Sequence, residues 1–178
     1  MTQTHAMELR LKAPEQLFNT LDPTPFDERD LDEKAERFIV GWAQDADRDA
    51  DLRLMILLPP DHMDSAAARS MPDAVHNYFA YRAEQTRHEL RELLRIGWRA
   101  LAIGIVVLLA CLGAIRFLDL FATAPTVRQL AQESLLILGW VANWRPIEIF
   151  LYDWWPIVRR HRLLKRLASM PVEVKPIA

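Results

Sequence analysis

The sequence predicts an α+β membrane protein. Two transmembrane helices form a helical hairpin, and a small cytoplasmic βαβ-type domain is joined to them by a long helix continuous with the first span. Three observations lead there. Residues 97–158 are mostly apolar and aromatic, whereas residues 1–96 carry an acidic excess and the segment from Arg159 onward is basic. Two long apolar stretches, residues 100–115 and 134–158, follow one another closely, as the arms of a hairpin would. Upstream of them, strand-like and helix-like periodicities alternate. The formal net charge of −2 over 178 residues conceals this asymmetry, so the distribution of charge informs and the average does not.

The elements follow in order. Residues 7–12 alternate apolar and polar, the pattern of a half-buried strand. Pro14 suits the first position of one or two helical turns. Asp22, Pro23, Thr24 and Pro25 read as a loop. Asp30 and Glu33 have capping-box spacing, with Asp30 as the expected N-cap. Ala35, Phe38, Ile39, Trp42 and Ala43 then form one apolar helical face, and the polar run 44–51 ends the helix. Residues 52–58 form a second strand, apolar on both faces and therefore expected to be covered, which Pro59 and Pro60 stop. Strand, helix and strand in succession imply a right-handed parallel crossover.

A single helix is expected from about Pro72 through the first span, with Val75, Phe79, Thr86, Leu90 and Leu93 as a loose near-heptad stripe. Two strands alone leave edges that invite another strand. The candidates are residues 171–175 of this chain, or the same sheet in a second subunit. This under-packed sheet is the reason to expect a homo-oligomer, formed through the cytoplasmic domain and the helices.

The spans are expected at about 97–119 and 134–158. The uncharged run 100–115 is slightly short of the roughly 20 residues a crossing needs, but Arg99 and Arg116 can snorkel outward. Pro146 removes a backbone donor from the second span and should kink it near Ala142. A crossing of full length and a shorter one that ends near Trp144 both fit. Arg87, Arg91, Arg95 and Arg99 precede the first span, while Arg159, Arg160, Arg162, Lys165 and Arg166 follow the second. The positive-inside rule puts both termini in the cytoplasm. Residues 1–30 lack a basic start followed by an apolar run, so the N-terminal half is expected to stay there too. The resulting division is an α/β domain at 1–71, a helical stalk at 72–96, the hairpin at 97–158 and a basic tail at 159–178. Compactness and arginine-rich usage point to a bacterial inner membrane.

The candidate site is the charged insert in the second span. Arg145 and Glu148 are three residues apart, share a helix face and can pair. An ionisable group at mid-membrane costs roughly 2.5–3.5 kcal/mol on insertion scales, so such groups face protein or water. The pair reads as a polar pathway, as an ion pair that fixes packing, or as an interfacial feature of a shorter crossing. Arg116 and Asp153 are secondary membrane charges, with Asp153 expected to partner Arg159 and Arg160. Arg159, Arg160, Arg162, Lys165 and Arg166, interleaved with Leu163, Leu164 and Leu167, form a basic amphipathic segment suited to anionic lipid headgroups. The neighbouring acidic domain argues against nucleic acid.

Asp61, His62, Asp64, His76 and His88 lack metal-ligand spacing, and no metal is expected. Cys111, the single cysteine, reads as a small packing residue. No glycine-rich phosphate loop and no nucleophile with a positioned base appear, and no cofactor is implied. The function expected is therefore non-catalytic: a homo-oligomeric scaffold, or an accessory subunit beside other membrane proteins. The alternative is an oligomeric channel lined by the second span with Arg145 and Glu148.

Overall fold

A computed structural model describes residues 4–19, 29–47, 50–121 and 125–177. The chain is mostly helical, with a small three-stranded parallel sheet and one helix, Ala66–Phe121, long and apolar enough to cross a membrane. The expected loop at Asp22, Pro23, Thr24 and Pro25 lies outside the described residues. The chain divides into two compact units, residues 1–86 with 159–178, and residues 87–158.

In the first unit, β1 (Thr4–Arg10) pairs in parallel with β2 (Asp51–Leu58), which pairs in parallel with β3 (Val172–Pro176). The third strand is thus supplied by this chain. β1 starts and stops earlier than the alternation predicts, and beyond its end Lys12 N donates to Gln16 Oε1 at 2.8 Å as the chain enters the 3-10 turn Pro14–Leu17. Helix α1 spans Glu33–Asp45. Its N-cap is Asp32, whose Oδ1 accepts from Lys34 N at 2.9 Å, and not Asp30. The backbone explains the shift. Phe18 and Leu31 form an antiparallel bridge, Asn19 N donates to Asp30 O at 2.8 Å and Asp32 N to Leu17 O at 2.9 Å. Asp30 is held in an extended pairing, so helical geometry begins after it.

Met7, Leu52, Leu54, Ile56 and Leu58 point into one core with Ile39 and Ala43 of α1. The long helix α2 (Ala66–Phe121) adds Met71, Val75 and Phe79, and α5 (Trp154–Ser169) adds Leu164 and Leu167. All belong to a single cluster, so the sheet is covered on one face. The opposite face of β2, with Arg53 exposed and Met55 and Leu57 half-buried, is open. The covered two-faced strand expected from the run 52–58 is corrected accordingly.

Helix α2 begins at Ala66 and not at Pro72, since Ser65 Oγ accepts from Ala68 N at 3.1 Å and supplies a cap. Pro72 then lies inside the helix. Of the expected stripe, Val75, Phe79 and Thr86 are buried and Leu90 and Leu93 half-buried. Two histidines tie α2 to the C-terminal segment: His76 Nε2 donates to Met170 O at 2.8 Å, and His161 Nδ1 to Ala83 O at 2.9 Å.

Glu36 of α1 sits at the centre of a part-buried clamp onto α2. Tyr78 Oη donates to Glu36 Oε2 at 2.8 Å, and Arg82 Nε and Nη2 donate to Oε1 at 3.0 and 2.8 Å. Burial raises the Tyr78 pKa well above the ordinary phenol range, and the hydrogen bond to Glu36 raises it further. Hydrogen bonds to a charged group are worth about 1.5–3 kcal/mol. Glu36→Gln is therefore expected to lower stability by about that amount, read as a lower urea midpoint of the full chain in detergent. A phenol that keeps its proton longer when folded makes the folded state bind more protons in alkali. Stability is whole below the free phenol value of about 10 and falls as pH rises above it. Tyr78→Phe should flatten that alkaline loss.

Candidate functional site

The second unit brings the charged insert against α2. Helix α3 (Pro125–Ala142) ends in a turn at Asn143. A short helix α4 (Trp144–Glu148) follows, then a π-helical turn, Ile149–Asp153, that leads into α5. Pro146 causes the break. Without an N–H it cannot donate to Ala142 O, so α3 stops there, and Pro146 falls in the first turn of α4, where no intrahelical donor is required. Asn143 repairs the junction: its backbone N donates to Trp140 O at 3.0 Å, and its Nδ2 donates to Gly139 O at 2.9 Å and to Gly104 O of α2 at 3.1 Å. One side-chain amide therefore caps α3 and fastens it to α2.

Glycines permit that approach. A Cβ on Gly104 would lie 2.6 Å from Asn143 Oδ1 and 3.0 Å from Ala142 O. On Gly97 it would meet Ile149 Cγ2 at 2.8 Å and Phe150 Cζ at 3.2 Å, and on Gly139 it would meet Leu108 Cδ1 at 2.8 Å. Farther along, Gln132 Nε2 donates to Asp119 Oδ1 at 2.6 Å. Positions 97, 104, 108 and 119 of α2 thus face 149–150, 142–143, 139 and 132 of the returning arm, an antiparallel register. Cys111, buried on the same face, lies beside Gly139, with its Cβ 3.7 Å from a Cβ placed there.

The register locates Arg145 and Glu148. They lie between the levels of Gly104 and Gly97, toward the end of α2's apolar run that Trp98 and Arg99 mark. Arg145 Nη1 contacts Glu148 Oε2 at 3.1 Å and Asp153 Oδ2 at 3.1 Å, across the π-helical turn. Trp144 Nε1 donates to Glu148 Oε1 at 3.1 Å. The Arg145 side chain is 60% exposed, on the outer side of the hairpin. Asp153 belongs to this cluster and does not pair with Arg159 or Arg160. The π-helical turn accounts for the difference, carrying its carboxylate back toward Arg145. Arg116 is exposed on α2, without an ion pair among the described residues.

The basic segment divides. Arg159, Arg160, Arg162 and Lys165 are exposed, whereas Arg166 Nη2 donates to Ala50 O at 2.6 Å and Asp47 O at 3.3 Å. Leu164 and Leu167 are spent in the domain core, so this segment keeps no apolar face of leucines to insert into lipid. Arg166 also walls a cleft of about 320 Å³ with Arg53 and Ser169, but its guanidinium is committed to those two carbonyls. Among the described residues, no group of three or more His, Cys, Asp or Glu side chains gathers as a metal site would require. No buried side-chain nitrogen or oxygen among them lacks a partner.

Sequence reasoning singled out Arg145, Glu148 and Asp153, which the structure brings together. It passed over Gly97, Gly104, Gly139 and Asn143. The available signal was the spacing of seven between Gly97, Gly104 and Cys111, a small-residue seam. No protein-family model, curated protein or solved structure matches this chain.

The seam makes a graded prediction. Gly104→Val must displace the Ala142 backbone, and overpacking of this kind costs about 1–3 kcal/mol. Gly113, which has nothing within 4 Å of a Cβ position, should accept Ala without loss. Thermal unfolding in detergent checks both. Equal effects at the two positions would contradict the register.

Proposed function

We propose that this chain is a non-catalytic integral membrane protein. Its helical hairpin crosses a bacterial inner membrane twice, with both termini in the cytoplasm, and displays the α/β domain there as a homo-oligomeric scaffold or as an accessory subunit of a membrane assembly. The antiparallel contact along the apolar part of α2 carries this reading. A second arm that follows α2 from position 97 to position 119 has the same extent as the apolar helix beside it. The basic clusters Arg87, Arg91, Arg95 and Arg99, and Arg159, Arg160, Arg162 and Lys165, then fall on one side of the bilayer. The four exposed residues of the second cluster meet anionic headgroups by charge alone.

In this reading the Arg145, Glu148 and Asp153 cluster is an interfacial lock. One guanidinium answers two carboxylates near the headgroup level, where ionisable groups are far less costly than at mid-membrane. The exposure of Arg145 favours one other reading, an oligomeric channel in which the pair faces water.

Reconstitution separates the two. The lock predicts no ion flux from wild-type liposomes. It also predicts that Arg145→Ala lowers thermal stability, and that the exchange Arg145→Glu with Glu148→Arg restores part of it. A conducting wild type whose current changes in Glu148→Gln, with the particle mass unchanged, would establish the channel and overturn the lock.

A further inference from the structure

The open face of the sheet carries a charge pattern that complements itself. The strand register sets its rows: Glu8, Met55 and Glu173 lie side by side across the three strands, and Arg10, Leu57 and Lys175 form the next row. One row is thus acidic at both ends, the adjacent row is basic at both ends, and each has an apolar centre. Glu8, Arg10 and Lys175 are exposed, while Met55, Leu57 and Glu173 are half-buried. Lys175 Nζ reaches Glu173 Oε2 at 2.7 Å and Arg53 Nη1 reaches Glu173 Oε1 at 3.2 Å. Lys175, hydrogen-bonded and charged beside it, holds the Glu173 carboxyl below the usual carboxylate range. Purely parallel sheets are seldom left open on one face, so this face wants a cover.

We infer that the cover is a second copy of this chain, packed face to face across a two-fold axis that runs perpendicular to the strands, between the two rows. Aligned sheets stack about 10 Å apart, and two in-plane two-fold axes bring this face onto itself. An axis along the strands exchanges β1 with β3, sets Glu8 over the partner copy's acidic Glu173 position and stacks base on base. The axis across the strands sets each acidic row over a basic one: position 8 over position 10, position 173 over position 175, and Met55 over the position of Leu57. Charge selects the second arrangement. Like charges placed directly opposite repel, while opposite charges attract and fix the register.

The patch is small. Three strands and five paired rows cover about 14 by 17 Å, well under the roughly 800 Å² per partner of a standard stable interface. Pairing at this face therefore needs the high local concentration that a shared bilayer supplies, so the inference rests on the membrane-scaffold reading.

The test uses the full chain with Cys111→Ala as background, co-reconstituted in liposomes and treated with a short bis-maleimide. Met55→Cys protein mixed with Leu57→Cys protein should cross-link several times more than either protein alone, because position 55 faces position 57 and not itself. Equal yields in all three samples would overturn the inference. So would no cross-linking while both thiols accept a monofunctional maleimide. Charge provides a second arm that needs no introduced thiol at the interface: Glu8→Lys with Glu173→Lys, and separately Arg10→Glu with Lys175→Glu, should each lose energy transfer between N-terminally labelled copies in liposomes, and mixing the two proteins should recover it. A particle that stays oligomeric through every variant would sink the face and leave the scaffold standing. A monomeric wild type would sink both.

Discussion

Close approach of the two arms at three glycines is the constraint on which the hairpin unit depends. Gly97, Gly104 and Gly139 each stand where a Cβ would collide with the facing arm. In the proposed bilayer setting no hydrophobic gain would favour one register over another, so close packing and a few hydrogen bonds would choose. Here the choice falls to Gly104 and Asn143. The amide of Asn143 bonds a carbonyl on each arm and cannot do so if either arm slides. Once that contact is set, the levels of Arg145, Glu148 and Asp153 along α2 follow without further assumption.

A different economy holds the α/β unit together. Its sheet takes a third strand from the C-terminal segment, and α5 puts Leu164 and Leu167 into the core that α1 and α2 share. Arg166 and the two histidines spend their polar atoms on backbone carbonyls there. A basic segment that looks like a free lipid-binding tail is therefore half structural. The chain's own β3 widens the sheet to three strands, with β1 and β3 at its edges. The face of β2 that carries Arg53, Met55 and Leu57 stays open.

The parts of this fold legible in sequence are those set by period and by charge. Alternation in 7–12, the run 52–58 and the Val-Glu-Val of 172–174 each mark a strand, and the parallel order follows from the helix between the first two. The apolar run after Arg99 marks the one helix among the described residues that is long and apolar enough to cross a membrane. Tertiary competition hid the rest. Asp30 has the right spacing for a cap, but its backbone is claimed by Asn19. Met55 and Leu57 look like core residues because apolarity alone cannot distinguish a covered face from an open one. Asp153 reads as a neighbour of Arg159 until the π-helical turn carries it back to Arg145. Glycine contacts depend on what lies opposite, which no local pattern records.

The depth of the second arm in a bilayer decides whether the hairpin crosses in this register. Nitroxide labels can be placed at exposed positions of both arms in liposomes, with α2 as the ruler: Leu109 and Trp98 on α2, Leu138 and Leu151 on the returning arm. Depth is read from relaxation by oxygen against a water-soluble nickel chelate. If the hairpin crosses in this register, position 138 is as deep as position 109, and position 151 is as shallow as position 98, close to the interfacial lock. A label at 151 deeper than one at 138 would contradict the register and place the charged cluster in mid-membrane.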